Sequence, residues 1–225
     1  MRSARAGRSV DASVKLDRKE QPMRRFIITG ILAGLVASVG LAVAASASSG
    51  RHAIRSHNGM ATDGSRLVAD VAAARLASAK YVTNLALAKA DGYGIITRMI
   101  PDMGYHFLNP KVSGFSVRKP PILVYEHRGK RWQLGAFEWV FTSKPAKPPL
   151  PGAQYGTFAA ACHYADGTFV PAASQSLCPA TSPQTGAGFN FWHPKLITLH
   201  FWIWYPNPAG IYSGMNPMVS PFNNG

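Results

Sequence analysis

The stretch from residue 197 to residue 205 reads Ile-Thr-Leu-His-Phe-Trp-Ile-Trp-Tyr and constrains the fold more than any other part of this chain. β-Branched and aromatic residues favour strands, and the turn-forming residues 206–210 end the run. Side chains alternate across a strand, so one predicted face holds Leu199, Phe201 and Ile203. The opposite face holds His200, Trp202 and Trp204. Both faces are apolar enough to be covered, which predicts a central strand with a helix on one side and a pocket or second layer on the other.

The first 47 residues have the organisation of a secretory signal peptide with an extended polar start. Two arginines follow Met23, which is an alternative start site. The run from 26 to 45 is uncharged and apolar, and the small residues that end at Ala47 have Ala-x-Ala spacing. Cleavage there predicts a secreted or periplasmic protein without a stable membrane span. The apolar run is also about long enough to cross a bilayer, so a retained membrane anchor through residues 26–45 is the alternative.

The charge of the chain is strongly positive but dispersed. The whole sequence has 24 Lys and Arg against 10 Asp and Glu, and the part after residue 47 keeps 16 basic and 7 acidic side chains. These basic residues form neither a continuous stripe nor a known nucleic-acid module, so we predict no nucleic-acid partner. The signatures G-x-S-x-G, H-E-x-x-H and C-x-x-C are missing, which argues against the common hydrolase and redox classes.

The sequence contains two cysteines, Cys162 and Cys178, and both follow the predicted signal peptide. In an exported protein an even number of cysteines predicts a disulfide. The alternative is a metal site that combines both cysteines with His163 and His193, although this spacing matches no standard zinc pattern. Residues 153–188 are largely Gly, Ala, Ser, Thr and Pro, so we expect an irregular loop that the disulfide holds in place.

One long helix is predicted near the start of the exported part. Residues 48–61 are small and polar without periodicity and predict a flexible leader, and residues 62–225 are predicted to form one domain. Apolar residues recur at helical spacing from Leu67 to Ala88, with most charges off that stripe. An Asp-Gly pair that begins at Asp91 ends the pattern.

Two strand-like runs, residues 122–127 and 131–142, flank Arg128, Gly129 and Lys130, a combination that favours a hairpin. With the helix and the strand near the C-terminus, this predicts an α+β fold. We expect one long N-terminal helix packed on a curved antiparallel sheet, with a disulfide-tied irregular loop.

Ionisable residues inside the strand-like runs are the candidate functional residues. Glu138 lies among apolar neighbours, and a carboxylate on an apolar face is costly to bury unless it is paired. His106 and His200, from other strands, are its natural partners. Two imidazoles and a carboxylate could bind a divalent metal ion or carry out acid–base chemistry, and a purely structural network is the alternative. Trp202 and Trp204 are expected to wall the pocket.

Glu126 is a weaker candidate, because its relation to Glu138 depends on the hairpin register. A three-residue loop would put both glutamates on one face, whereas a two-residue turn would separate them. Even in the favourable register Glu126 lies opposite Trp132, about 20 Å along the strand from Glu138. One site is therefore not expected to use both. Simple alternation places Glu138 on a face with Trp132, Leu134, Ala136 and Val140.

Several pieces of the sequence between residues 81 and 222 form a combined pattern. They are residues 103–110 (Met-Gly-Tyr-His-Phe-Leu-Asn-Pro), residues 123–126, Glu138, residues 199–204 (Leu-His-Phe-Trp-Ile-Trp), residues 207–210 (Asn-Pro-Ala-Gly) and residues 216–217. This pattern resembles a group of uncharacterised exported bacterial proteins. The resemblance implies export and a single domain, and it implies no activity and no functional residue.

Three functions follow from these observations. The first is an exported protein that binds a metal ion or a small polar ligand in a His/Glu/Trp pocket. The second is an enzyme that uses Glu138 or Glu126 as a general base, and the third is a purely structural envelope protein. Elemental analysis of the purified mature protein distinguishes the first from the third.

Overall fold

The computed structural model describes residues 51–224, and describes the side chains from residue 62 onward. The predicted signal peptide, its cleavage site and the alternative anchor at residues 26–45 lie outside the described residues. Within residues 51–224, no helix has the length and apolar character that crossing a bilayer requires.

Within residues 51–224, two α-helices replace the single predicted helix. Helix α1 is Arg51–Ser78, a 3₁₀ turn follows at Ala79–Tyr81, and helix α2 is Leu85–Ala90. Helix α1 thus begins inside the stretch that the sequence predicts as a flexible leader.

The prediction of one continuous helix from Leu67 to Ala88 is wrong, because α1 ends at Ser78 and α2 begins only at Leu85. The Ser78 hydroxyl donates to the Ala74 carbonyl (2.8 Å), a bond that competes with regular helix geometry. The Asn84 side chain then accepts from the Leu87 N–H and starts α2 as its N-cap. The break leaves the Val82 carbonyl free to accept the Leu134 N–H of the sheet (2.7 Å).

The described residues form nine strands in two antiparallel sheets. The strands of the first hairpins are β1 (Gly94–Ile100), β2 (Gly104–Leu108), β3 (Ile122–Arg128) and β4 (Arg131–Phe141). The remaining strands are β5 (Gly156–Phe158), β6 (Ala161–Tyr164), β7 (Phe169–Pro171), β8 (Phe189–His193) and β9 (Leu196–Trp202). The six-stranded sheet has the order β1-β2-β3-β4-β9-β5, and the three-stranded sheet has the order β7-β6-β8.

The predicted fold class is confirmed: helices pack on one face of a strongly curled antiparallel sheet. The core between them contains alternate residues of the strands, as alternation across a strand requires. Its buried members include Ala74, Leu85, Leu123, Phe137, Leu199 and Phe201. Residues between these positions, such as His200 and Glu138, face the other side of the sheet.

The irregular loop predicted for residues 153–188 is partly wrong, because it contains β5, β6 and β7. These strands are only three or four residues long, so the local sequence gives little sign of them. They form because distant strands pair with them: β5 pairs with β9, and β6 pairs with β8. The second sheet is joined to β1 by a hydrogen bond from the Arg98 N–H to the Gly167 carbonyl (2.7 Å).

A bulge at Gly135 decides which residues of β4 face the helices. The hairpin has a two-residue turn, since Arg128 pairs with Arg131, and this turn alone would put Glu126 and Glu138 on opposite faces. Val124 pairs with Ala136 but the next residue, Tyr125, pairs with Leu134, so Gly135 is an extra residue in β4.

The bulge corrects the predicted face of Glu138. Trp132 and Leu134 pack in the helix-side core, whereas Ala136, Glu138 and Val140 face the other side. Glu126 shares that side with Glu138 in spite of the two-residue turn. The Gly135 carbonyl also accepts from the backbone N–H groups of residues 203 and 204, which holds the bulge against the end of β9.

The predicted disulfide between Cys162 and Cys178 is confirmed. It ties β6 to the segment that follows the 3₁₀ turn Gln175–Leu177. Both sulfur atoms are used in the bond, so the alternative metal site with two cysteine ligands is wrong. A disulfide is compatible with an extracellular or periplasmic location.

We expect the substitution Cys178→Ser to lower the free energy of unfolding by about 2 to 5 kcal/mol, because the unfolded chain regains the freedom that the closed loop removes. Urea denaturation of the oxidised wild type and of the variant measures the difference. Reduction of the wild type should produce a similar loss. A loss below about 0.5 kcal/mol, typical of a neutral surface change, would contradict a stabilising role for the bond.

Candidate functional site

A cavity of about 270 Å³ lies against the face of the six-stranded sheet that points away from the helices. Strands of both sheets line it, because the three-stranded sheet stands beside β1. Most of the lining is apolar, and the exceptions are three threonines and five ionisable groups. These ionisable groups are His106, Glu138, His163, His193 and His200.

Three of the ionisable residues converge at one point in this cavity. Glu138 on β4 and His200 on β9 are directly paired, so their side chains leave the sheet side by side. His106 is on β2, on the far side of β3, and the curl of the sheet brings its ring back toward Glu138. One ligand atom from each residue lies within 4.8 Å of the other two.

The imidazole nitrogens lie farther from the Glu138 carboxylate oxygens than hydrogen-bond distance. His106 Nε2 lies 3.5 Å from one Glu138 carboxylate oxygen, and His200 Nε2 lies 3.8 Å from the other. Both separations exceed an ordinary charge-assisted hydrogen bond of about 2.7 to 2.9 Å. The two imidazoles therefore flank the carboxylate without being tightly bonded to it.

Burial controls the protonation of this group. It raises the pKa of Glu138 to about 8. Burial also lowers the pKa of His200 to about 4, and burial together with the nearby His200 and His163 rings lowers the pKa of His106 to about 3. The two histidines are therefore neutral near pH 7, which is the form in which imidazole binds a metal ion.

The outer nitrogen of His106 is held by Thr97 of β1. The Thr97 hydroxyl oxygen lies 2.7 Å from His106 Nδ1 and also accepts the backbone N–H of His106 (3.2 Å). This pair of contacts fixes the orientation of the ring and directs Nε2 toward Glu138. Metal-binding histidines are commonly held in this way through their second nitrogen. Sequence reasoning missed Thr97, because its role depends on the pairing of β1 with β2.

His200 has the opposite property. Its Nε2 is buried, and no hydrogen-bond partner for it exists among the residues that the structure describes. A buried ring nitrogen without a partner is costly, so this nitrogen is available to bind a ligand. The donor set of two imidazoles and one carboxylate fits a metal ion that would bind this nitrogen.

Glu126 lies outside the cavity, although it is on the same side of the sheet. Its side chain is buried, and neither carboxylate oxygen has a hydrogen-bond partner in the described part of the chain. Gly104 lies close to this carboxylate, since a Cβ at Gly104 would be 2.6 Å from Glu126 Oε1. Burial raises the pKa of Glu126 to about 8. The structure thus separates the two candidate glutamates.

The prediction that Trp202 and Trp204 wall the pocket is wrong, because neither lines the cavity. Trp202 packs beside the cavity against Ile122 and Val219, and its indole N–H donates to the Ser213 carbonyl (2.7 Å). Trp204 lies on the helix side, where its indole N–H donates to the Ser78 hydroxyl (2.9 Å).

Alternation stops because β9 ends at Trp202. The backbone N–H groups of Ile203 and Trp204 both donate to the Gly135 carbonyl, so their side chains leave on the same side of the sheet. Phe158 and Phe191, from the two sheets, are the aromatic residues that line the cavity instead.

A second histidine pair lines the same cavity. His163 on β6 and His193 on β8 approach with their Nε2 atoms 3.0 Å apart. His163 stacks on Phe191, with ring centroids 4.6 Å apart, and His193 packs against Phe158. Burial lowers the pKa of His163 to about 4. The sequence suggested these histidines only as partners of the cysteines, whereas the structure brings them into the cavity without the cysteines.

The buried groups predict how the stability of the metal-free protein depends on pH. His106, His163 and His200 have pKa values lowered from 6.5, so the unfolded chain takes up their protons first and the free energy of unfolding falls as pH decreases from about 6.5. Glu126 and Glu138 have pKa values raised from 4.5 to about 8, so the folded chain retains their protons and stability falls as pH rises over that range.

Three histidines outweigh two glutamates between about pH 4.5 and 6.5, so we expect maximal stability near pH 6.5. Urea denaturation between pH 4 and 9 in the presence of a chelator measures the profile. The double variant Glu126→Gln, Glu138→Gln should lose the decline on the alkaline side and keep the decline on the acidic side. A profile that rises steadily to pH 9 would contradict the burial of these carboxyl groups.

Comparisons with known proteins do not add to this description. No family model matches the chain, and neither a curated protein nor a solved structure has significant similarity to it. The function is therefore inferred from the geometry. That geometry defines a buried group of two histidines and one carboxylate that could hold a metal ion.

Proposed function

We propose that this protein binds a divalent transition-metal ion through His106, Glu138 and His200. The observation that carries the proposal is the convergence of one ligand atom from each of three strands within 4.8 Å, inside a cavity. The unpartnered Nε2 of His200 supports it, because a metal ion would supply the partner that this atom lacks among the described residues.

The ligand set favours zinc, iron or a similar ion. Imidazole suits zinc, copper, iron and nickel, and the combination of two histidines and one carboxylate occurs in catalytic zinc sites and in non-haem iron sites. Three protein ligands leave at least one coordination position open. The three side chains themselves face a cavity whose lining is mainly apolar. A small and largely apolar molecule is therefore the ligand that the cavity fits best.

Metal binding also reverses the cost of burying Glu138. Burial alone raises the pKa of this carboxyl group to about 8, whereas a bound cation stabilises its ionised form. Binding near pH 7 therefore releases a proton from Glu138, and the affinity should increase with pH up to about 8. A general-base function of Glu138 would use the same ionised form of its carboxyl group. Glu126, the other candidate base, does not line the cavity.

We also propose that the protein functions outside the cytoplasm. The disulfide supports this proposal, since disulfides persist mainly in oxidising compartments. The signal peptide predicted from the first 47 residues agrees with it. N-terminal sequencing of protein from the native host tests the prediction: we expect a first residue between Ala45 and Ser49, and a chain that retains residues 26–45 in membranes would contradict it.

The position of Thr97 gives a specific test of the metal proposal. We expect chelator-treated wild-type protein to bind Zn²⁺ in a calorimetric titration, and the variant Thr97→Val to bind it about 10 to 100-fold more weakly, because the ring of His106 loses its outer contact. Valine has nearly the shape of threonine, so the fold should be retained.

Thr198→Val is the matched control. Thr198 is also a buried threonine of the cavity wall, but it is not bonded to either histidine of the group in the described structure. Its substitution should leave the affinity within about twofold. Equal effects of the two substitutions would contradict a positioning role for Thr97, and wild-type protein that binds no Zn²⁺ would overturn the proposed function itself.

A further inference from the structure

The pair of His163 and His193 has an arrangement that two neutral imidazoles do not favour. His163 Nδ1 lies 2.7 Å from the Ile96 carbonyl oxygen, and His193 Nδ1 lies 2.6 Å from the Pro194 carbonyl oxygen. A carbonyl oxygen can only accept a hydrogen bond, so each Nδ1 carries the proton. In a neutral imidazole the other nitrogen is then an acceptor with a lone pair.

The two acceptor atoms face each other. His163 Nε2 and His193 Nε2 are 3.0 Å apart in a buried position. Two lone pairs at this distance repel each other unless a cation lies between them. The candidates are a shared proton, which would make one ring an imidazolium, and a metal ion bound to both nitrogens.

We propose that His163 and His193 form a second divalent-metal position in the same cavity. Metal–nitrogen bonds of 2.0 to 2.1 Å at a tetrahedral angle place two ligand nitrogens about 3.3 Å apart, which requires a change of only a few tenths of an ångström here. Both rings are anchored through Nδ1 to backbone carbonyls, and this is the usual outer contact of metal-binding histidines. Water or a ligand in the cavity completes the coordination.

A metal ion explains the pair better than a shared proton does. Burial among Phe158, Phe169 and Phe191 disfavours the imidazolium form of His163. In the described lining of the cavity, Glu138 is the single acidic side chain that could offset such a charge. A metal ion brings its own water or hydroxide ligands into the cavity, whereas a proton brings none.

Strand β1 connects this position to the one proposed for His106. The Ile96 carbonyl orients His163, and the next residue, Thr97, orients His106. The two positions nevertheless consist of different ligands, so either can exist without the other. Together they would place two metal ions in one cavity.

Counting bound zinc tests the proposal on the full chain. After treatment with chelator and dialysis against Zn²⁺, we expect two zinc ions per wild-type chain by elemental analysis. His163→Gln and His193→Gln should each retain one, because glutamine preserves volume but removes the imidazole ligand. Glu138→Gln should retain the ion at the histidine pair, so it also carries about one.

The outcomes separate the two proposals. One zinc ion that is lost with Glu138→Gln and unaffected by His163→Gln would overturn the second position and leave the proposed function intact. One zinc ion that is lost only with the His163 and His193 variants would establish the second position and overturn the first. Two ions retained in all variants would overturn both.

Nitrogen NMR of the histidine rings in the wild type is a second test. It does not require the variants to fold. In zinc-loaded protein we expect both rings to carry the proton on Nδ1 and to show a metal-bound Nε2 signal. A proton shared between the two Nε2 atoms in the presence of excess Zn²⁺ would overturn the proposal.

Discussion

Glu138→Gln is expected to weaken zinc binding at the His106 and His200 position by more than about 100-fold. Loss of an outer contact of a metal ligand costs 10 to 100-fold in affinity, and this substitution removes a ligand and its negative charge together. Glutamine has the shape of glutamate, so the sheet should be preserved. Calorimetric titration of chelator-treated protein with Zn²⁺ measures the change.

Glu126→Gln is a closely matched control. Glu126 and Glu138 lie on the same side of the same hairpin, both are buried, and burial raises both pKa values to about 8. Only Glu138 belongs to the cavity. Glu126→Gln should therefore leave zinc affinity unchanged, while both variants should be more stable than the wild type above pH 8. Equal losses of affinity in the two variants would show that burial of charge, and not ligation, explains the effect.

Gly104→Ala is expected to lower the free energy of unfolding by about 3 kcal/mol or more. Gly104 has a φ of 110°, a conformation that L side chains rarely adopt, and such strain costs about 1 to 3 kcal/mol. A Cβ would also lie 2.6 Å from Glu126 Oε1 and 2.8 Å from the Tyr125 carbonyl oxygen. Overpacking of this kind adds about 1 to 3 kcal/mol.

Gly94→Ala is the control for this prediction. Gly94 begins the neighbouring strand β1, lacks a positive φ and has open space where a Cβ would be placed. We expect a change within about 0.5 kcal/mol for this exposed position. Urea denaturation compares the two variants, and similar stabilities would contradict the close approach of β2 to β3. Gly104→Ala should also weaken zinc binding, because it displaces the strand that carries His106.

The convergence of the metal-binding group could be predicted from the sequence because it depends on strand alternation. Glu138 and His200 are ionisable residues with apolar neighbours in their strands, and each needs a partner when buried. Pairing of β4 with β9 then places them side by side. His106 followed from the same reasoning, and its contact with Glu138 requires only that the sheet curls.

The sequence could not predict how the bulge at Gly135 changes the faces of the neighbouring residues in β4. A glycine within a strand suggests a bulge, but the sequence does not say which face each following residue will occupy. Here the Gly135 carbonyl accepts two N–H groups from the end of β9, more than 60 residues further along the chain. The extra residue in β4 reverses the faces of Trp132 and Leu134, and the contact of Gly135 with the end of β9 turns Trp204 toward the helices.

The histidine pair was hidden for a similar reason. Strand β6 has four residues and is flanked by small and polar residues, so its local sequence does not favour a sheet. It becomes a strand through its pairing with β7 and β8. Only this non-local pairing brings His163 next to His193. Contacts between distant short strands are the part of such a fold that local sequence preference cannot specify.

The most direct test of the metal proposal is the anomalous scattering of zinc-loaded crystals at the zinc absorption edge. The account predicts a peak inside the cavity, about 2.0 to 2.2 Å from His106 Nε2, from His200 Nε2 and from one carboxylate oxygen of Glu138. Crystals of Glu138→Gln should lack this peak. Zinc peaks confined to the protein surface, with none in contact with these three side chains, would contradict it.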